Sequence, residues 1–227
     1  MRVVVNAAVS ADGKLSTRER EQVPISGPTD FERVDELRAE SDAVMVGVGT
    51  VLADDPSLTV DDPVRTAIRE ADGEPIHPAR VIADSRGRTP LDAQVLDDDA
   101  RTYLLASEAA PVDRVAAIED AGATVVLAGE EQVDLATALA ELEADGVGQL
   151  MVEGGGEVIF SLFEAGLVDE LSMYVGSTVI GGRDAPTLAD GDGFTDDFPE
   201  LALLGVERLD DGVLLQWIVE NEDPRSE

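Results

Sequence analysis

The sequence predicts an α/β fold in which a mainly parallel central sheet is flanked by helices and ends in an antiparallel hairpin. Three observations predict it. Short apolar, β-branched runs alternate with segments of helical apolar spacing. Glycine-bearing turns follow several of those runs, as turns at the carboxyl edge of a parallel sheet do. The last two apolar runs are separated only by Asp210-Asp211-Gly212, a strong hairpin signal. At 227 residues the chain can fill one good core, and no linker divides it. Residues 1–220 therefore read as one domain, and 221–227 as a polar tail that frays.

Val3–Val9 is short, apolar and β-branched, a buried strand broken by the turn Ser10-Ala11-Asp12-Gly13. Residues 16–28 are polar and form a loop. Thr29 and Glu32 make a capping box for a helix whose Phe31, Val34 and Leu37 face inward and which ends near Ser41. Ala43–Val48 is the second strand, followed by a short helical piece through Pro56, and Leu58–Val60 returns to the core. Residues 61–79 read as an acidic, irregular surface loop. Arg80–Ala83, Thr102–Ala106 and Thr124–Ala128 are strands, with helices at Val112–Ala121 and Leu135–Glu143. A strand ending at Glu153 leads through Gly154-Gly155-Gly156 into a helix over Val158–Leu167. Glu170–Val175 is a strand, and Ala202–Arg208 with Val213–Val219 form the hairpin.

Forty-nine acidic residues face sixteen basic ones, for a net charge of −33. Such a surface repels nucleic acid and anionic membrane, which both need Lys and Arg to neutralise phosphate. The apolar runs are too regular for a disordered polyanion, so the acid coats a folded surface. Lys14 is the only lysine. An acidic, lysine-poor protein suits a high-salt cytoplasm, where salt screens self-repulsion. There are no cysteines, which excludes disulfides, thiolate metal sites and a Cys nucleophile. The first residues lack a secretory h-region, and no apolar stretch approaches the ~20 residues of a membrane span, so a cytoplasmic location is expected.

Chemistry concentrates at three strand ends: Asn6 to Lys14, Gly47 to Asp55, and Glu153 to Val158. A strand, a tight glycine turn and a helix N-terminus can hold an anion on backbone N–H groups, and glycine lets it approach. The plainer reading is a turn that needs positive φ. Gly47-Val48-Gly49 is not a dinucleotide fingerprint, because Leu52 stands where the third glycine belongs. Arg38 lies on the inner side of its helix, where it could clamp a phosphate bidentately or pair with Glu40 or Asp42. Asp54 could simply end its helix. His77 reads as a solvated loop residue, Trp217 as core or dimer interface, and the runs 97–99 and 130–131 as solvated faces.

Several segments together resemble the riboflavin-pathway reductases that act on pyrimidine ribosylamine phosphates. They are Ala11-Asp12-Gly13-Lys14-Leu15, Met45 through Val60 with its specific Gly-Thr-Val-Leu-Ala-Asp-Asp-Pro run, Arg80 through Arg86, and Val152-Glu153-Gly154-Gly155-Gly156. Gly166 through Leu171 and Ile180-Gly181-Gly182 match as well. The likeness spans roughly residues 3 to 219 and is closest to the single-domain archaeal form, in keeping with a haloarchaeal composition. It implies a dihydrofolate-reductase-like fold, a homodimer, and hydride transfer from NADPH or NADH to the ribosyl C1′. Bacterial relatives fuse this domain to a zinc deaminase, whose His and Cys ligands cannot be built from this chain.

By motif, the resemblance places Ala8, Thr50, Asp54, Ser85, Gly155, Gly156, Glu157 and Val158 at the cofactor. Asn6, Arg38 and Leu58 go to the substrate, and Lys14 and Glu153 to the chemistry. A flexible ammonium suits a sugar phosphate or hydroxyl, though Lys14 could also be an incidental surface residue. Glu153, sealed under a cofactor, is expected to hydrogen-bond the pyrimidine amines or donate a proton as the sugar ring opens. Relatives carry an Arg near the position of Asp61; here Arg65 is the nearest substitute. The competing readings are a dihydrofolate reductase of the same fold, a non-catalytic nucleotide-binding module, and an oligomeric scaffold.

Overall fold

The structure, a computed structural model, describes residues 1–220; the polar tail expected at 221–227 lies outside them. Nine strands make one sheet in the order β5-β4-β3-β2-β6-β1-β7-β9-β8. The strands are β1 (Arg2–Val9), β2 (Ala43–Gly47), β3 (Ala79–Ala83), β4 (Thr102–Ala106), β5 (Thr124–Leu127), β6 (Gln149–Gly154), β7 (Glu170–Val175), β8 (Glu200–Leu209) and β9 (Gly212–Glu220). From β5 to β7 every neighbouring pair is parallel; β9 runs antiparallel to β7, and β8 to β9. The mainly parallel sheet and the C-terminal antiparallel hairpin expected of the fold are both present.

Helices α1 (Pro28–Glu40), α2 (Val48–Asp54), α3 (Pro63–Asp72), α4 (Val112–Asp120), α5 (Leu135–Ala144) and α6 (Gly156–Glu164) connect the strands. Because side chains alternate along a strand, the central strands feed two cores. Val3, Val5, Met45, Leu150 and Val152 pack with Leu139 and Leu142 of α5 and Ile159 and Leu162 of α6. On the opposite face Val44, Val46, Ile82 and Met151 pack with Leu58 and with Val34 and Leu37 of α1. Strands buried on both faces need continuous apolar runs, which is what the sequence supplies.

Three expectations need correction. Residues 61–79 are not all loop. Asp62 caps α3 by accepting from the Val64 amide at 2.7 Å, Pro63 opens the helix, and Gly73 ends it in the left-handed region at φ 82°. The buried Arg69 of α3 then donates to the carbonyls of Ala39 and Ser41, at 2.5 and 3.1 Å, at the end of α1. Phe31 is 62% exposed, because α1 turns Val34 and Leu37 inward and Phe31 out. Helix α6 begins at Gly156, two residues before the expected start.

The capping box is also replaced. Helix α1 starts at Pro28 with Gly27 as its cap and no side-chain bond from that residue. The carboxylate of Asp210, in the β8–β9 turn, accepts from the amides of Thr29 and Asp30 at 3.1 Å each and from the Thr29 hydroxyl at 2.7 Å. A Cβ at Gly27 would collide with that carboxylate. Among the described residues no helix is long and apolar enough to cross a membrane.

Asp210→Ala is therefore expected to destabilise the protein by about 1 kcal/mol, the usual worth of a lost helix cap. Glu32→Ala should change stability by no more than about 0.5 kcal/mol, as exposed substitutions do. Denaturant titration at constant molar salt distinguishes the two; a larger effect at Glu32 would restore the capping box.

Candidate active site at the carboxyl edge of the sheet

Glu153 enters the site through an irregularity in its strand. Along β2 and β6 Met45 pairs with Val152 but Val46 pairs with Gly154, so Glu153 is the extra residue of a β-bulge. A bulge bends the strand and re-aims the side chain it carries. Both Glu153 oxygens accept from Arg38 of α1: Nε to Oε1 at 2.5 Å and a terminal nitrogen to Oε2 at 2.7 Å. The pair is largely buried, with side chains 18% and 12% exposed. The other terminal nitrogen of Arg38 donates to the Thr59 carbonyl at 3.0 Å. Burial works against charge on Arg38, but the hydrogen bond and charge of Glu153, with the charges of Asp61 and Asp35, hold its pKa above the ordinary arginine value. Arg38 therefore pairs with neither Glu40 nor Asp42, and its fork is filled by Glu153 instead of standing open to a phosphate. Proton donation by Glu153 would require that fork to open.

One strand over, Asn6 follows Val5, the register partner of Val152, and is itself the partner of Ser172 on β7. Arg33 of α1 bridges this row, donating to the Asn6 side-chain amide oxygen Oδ1 at 2.8 Å, the Ser172 hydroxyl at 3.1 Å and Asp30 at 2.7 Å. Sequence reasoning missed Arg33. The signal was there: Arg33 is four residues before Leu37 and Arg38 four after Val34, so the two arginines flank the apolar stripe of α1.

Leu58 is buried in the core beside Met151, with 1% of the whole residue exposed, so neither its side chain nor its backbone stands open to a ligand here. That backbone is left-handed, with φ 56°, a strained state for a branched side chain. Arg65, the substitute anchor, is engaged by Asp35 at 3.0 Å and Asp62 at 3.2 Å. His77 is half-buried, and its Nδ1 accepts from the Val60 amide at 3.3 Å, so it is a fixed part of the 57–62 segment.

The two glycine turns form one unit. A Cβ on Gly47 would lie 2.9 Å from the Val158 side chain, and one on Gly155 would lie 3.4 Å from the Gly47 nitrogen. Gly155 has φ 92°. The Thr50 hydroxyl lies 3.8 Å from where a Gly154 Cβ would be. Thr50, Gly155, Gly156 and Val158 are thus brought together, with Glu157 exposed beside them. The first-turn amides of Gly156, Glu157 and Val158 have no recorded acceptor among the described residues, as expected at a helix start able to take an anion. Asp54 ends α2, exposed. Ser85 lies beyond β3, its hydroxyl accepting from the Val133 amide at 3.1 Å. Ala8 pairs with Tyr174 near the end of β1.

Lys14 is half-buried and its ammonium donates to the Ala185 carbonyl at 2.9 Å. Its backbone pairs with Thr187, whose carbonyl oxygen would meet a Cβ on Gly156 at 2.5 Å. The loop around 185–190 therefore links Lys14 to the glycine turn. Asp12 fastens the same region, accepting from the amides of Ile180 at 3.0 Å and Gly181 at 2.7 Å. Its pKa falls from 3.8 to about 2, chiefly through the Ser10 hydroxyl bond and then the Ile180 amide.

Fold and site together define an α/β protein of the pyrimidine-reductase architecture. A pyrimidine reductase-like protein from Corynebacterium diphtheriae superposes with a TM-score of 0.84 at 18% identity, over 97% of this chain and 92% of that one. The RibD of Acinetobacter baumannii superposes at 0.77 with 26% identity, over 97% of this chain and 58% of that one. The family model for the RibD C-terminal domain matches residues 1–215, and the chain belongs to that family. It is 47% identical, over 92% of its length and 94% of the relative's, to the 2,5-diamino-6-ribosylamino-4(3H)-pyrimidinone 5′-phosphate reductase of Archaeoglobus fulgidus. With the reductase of that name from Methanothermobacter thermautotrophicus it shares 42% identity, over 96% and 97%.

Because the Asp12 pKa is depressed on folding, its clasp is fully present above pH about 4 and lost as pH falls through about 2. Hydrogen-exchange protection of the Ile180 and Gly181 amides should fall across that window and be weak at every pH in Asp12→Ala. Protection that ignores both would show that Asp12 does not hold the loop.

Proposed function

We propose that this protein reduces the ribosyl C1′ of 2,5-diamino-6-ribosylamino-4(3H)-pyrimidinone 5′-phosphate to the ribitylamino product, an oxidoreductase step of riboflavin biosynthesis. The observation that carries the reading is the near-full-length likeness to archaeal reductases of that name. The geometry supports it, since a buried ion pair, a left-handed backbone segment and a glycine turn meet at the carboxyl edge of one sheet. A nicotinamide cofactor, NADPH or NADH, would supply the hydride.

The residues fit such a group. The Gly47 and Gly155 turns pack tightly on each other and on Val158, which holds the start of α6 in place, and the first amides of α6, free of acceptors among the described residues, suit a phosphate. In this reading Ala8, Thr50, Asp54, Ser85 and residues 155–158 hold the cofactor, while Asn6 and Arg38 hold the pyrimidine and sugar. The Arg38–Glu153 pair orients polar groups of the substrate and keeps water out of the reacting region. Lys14 leaves Ala185 to hold a sugar oxygen, and Glu153 passes a proton as the ring opens once substrate parts its fork. We read residues 1–220 as one reductase domain.

The composition supports a haloarchaeal, cytoplasmic protein with an acidic surface; Asp98, Asp99, Glu130 and Glu131 are all exposed. The hairpin supports a homodimer, because β8 is an edge strand with Leu203, Leu204 and Val206 each more than half exposed.

Anaerobic turnover of the ribosylaminopyrimidine phosphate with each nicotinamide cofactor at molar salt tests the assignment; activity on dihydrofolate alone would overturn it. Glu153→Gln should lower kcat by about 100-fold or more, the scale of a lost proton-transfer group, with NADPH affinity nearly unchanged. Equal loss of both would make Glu153 scaffold. Transfer into dilute buffer should lower Tm steeply, since unscreened like charges then act over a Debye length of ~30 Å. A Tm indifferent to salt would refute the halophilic reading.

A further inference from the structure

A polar row crosses the sheet on the face that α1 covers. Glu153 of β6, Asn6 of β1 and Ser172 of β7 lie on neighbouring strands, and two arginines of α1 reach down to them. Arg38 grips Glu153. Arg33 takes the other two, giving one terminal nitrogen to the Ser172 hydroxyl at 3.1 Å and the other to Asn6 at 2.8 Å. Arg33 is itself held. Its Nε and the nitrogen that reaches Asn6 also donate to Oδ1 of Asp30, at 2.9 and 2.7 Å. The second oxygen of that buried carboxylate accepts from the Ser26 hydroxyl at 2.5 Å. All three nitrogens of the guanidinium are engaged, so its orientation is fixed.

That orientation decides which way the Asn6 amide faces. A guanidinium only donates, so the Asn6 atom turned toward it is the oxygen, Oδ1, and the amide nitrogen points away. Among the described residues Nδ2 has no recorded hydrogen bond. The fully buried side-chain atoms left without a partner there belong to Arg80 and Asp84, so Nδ2 is not sealed in the core. Asn6 is 5% exposed as a whole, and Nδ2 is its open, unpaired polar atom, one strand over from the Arg38–Glu153 pair. The two ends of an amide are alike in size, and only their hydrogen-bond partners choose between them. Arg33 makes that choice.

We propose that Arg33 is a positioning residue that fixes the polarity of the Asn6 amide: with the oxygen held inward, position 6 offers the substrate N–H donors alone and takes one of its oxygens. Neighbouring strands then present opposite polarities, an acceptor at Glu153 for the substrate's amines and a donor at Asn6 for an oxygen. This rests on the substrate reading above. Arg33 touches neither substrate nor cofactor, and acts only through the side chain of residue 6.

The test is a double-variant cycle of Asn6→Asp and Arg33→Lys. Asn6→Asp keeps an oxygen for Arg33, and so keeps the fold, but puts a second acceptor where the donor was. It should raise the KM for the ribosylaminopyrimidine phosphate by about tenfold or more, the scale of a lost hydrogen bond with a mismatched charge, while the KM for the nicotinamide cofactor stays within about twofold. Arg33→Lys keeps a cation for Asp30 but cannot serve every acceptor, so the amide is free to turn; the same KM should rise, by less. In the Asn6→Asp background Arg33→Lys should add nothing, because a carboxylate has two equal oxygens and no polarity to fix. A merely structural Arg33 would act equally in both backgrounds and on both KM values, and that result overturns the proposal. If Arg33→Lys does not fold, Ser26→Ala, which loosens Asp30, takes its place under the same criteria. Absence of turnover by the unaltered protein would instead sink the substrate reading. The positioning role is then decided by NMR: the shifts of the two Asn6 Nδ2 protons should move toward those of a free amide in the Arg33 or Ser26 variant, and unmoved shifts overturn it.

Discussion

A guanidinium gripping both oxygens of one carboxylate joins the first long helix to the sixth strand, and much of the site follows from it. Taking two such ions out of water costs several kcal/mol each, a cost offset only when every hydrogen-bonding position is used. Every nitrogen of the fork is engaged: two nitrogens of Arg38 go to Glu153 and the third to the Thr59 carbonyl. The bulge in β6 follows from the same demand, since a regular register with β2 would leave no extra residue to turn toward α1. The segment from Ser57 to Asp62 is pulled into place by the same guanidinium. Strand, helix and loop thus meet at one ion pair whose partners lie 115 residues apart.

Such long-range pairing explains what could be read from the chain and what could not. The strands were legible because buried parallel strands are short β-branched runs, and Val3–Val9 and Ala43–Val48 can hardly be anything else. The hairpin was legible from Asp-Asp-Gly. Helix α3 was hidden because its large apolar residues, Val64 and Ile68, lie exposed and mark no buried face, although Asp62-Pro63 and Asp72-Gly73 mark its two ends. Phe31 has the right spacing to face inward; the rotation of α1 is set instead by Arg33 and Arg38 reaching the sheet. Arg38 and Glu153 were each suspect alone, but choosing one as partner of the other requires the register of β6. Lys14 stood out as a solitary ammonium, yet nothing local points to the Ala185 carbonyl.

The choice of base follows the same physics. At molar salt the Debye length is ~3 Å, so exposed pairs such as Arg18–Glu19, with side chains 72% and 66% exposed, are screened. Arg33, Arg38, Arg69 and Arg80 are withdrawn from solvent, and each serves more than one acceptor. A planar fork suits that work; an ammonium, as a compact and strongly hydrated point charge, does not. A chain that uses arginine for its buried cations and carboxylate for its surface can keep its interior electrostatics while the salt around it changes.

Helix α1 also ties the site to the far edge of the sheet. Its first turn is capped by Asp210 from the β8–β9 hairpin, its middle carries Arg33 to Asn6 and Ser172, and its last turns carry Arg38 to Glu153. The hairpin is also where the exposed apolar edge proposed for a second copy lies. A helix fixed at its N-terminus by one carboxylate and gripped near its C-terminus by another cannot slide without breaking a charge-assisted bond at one end.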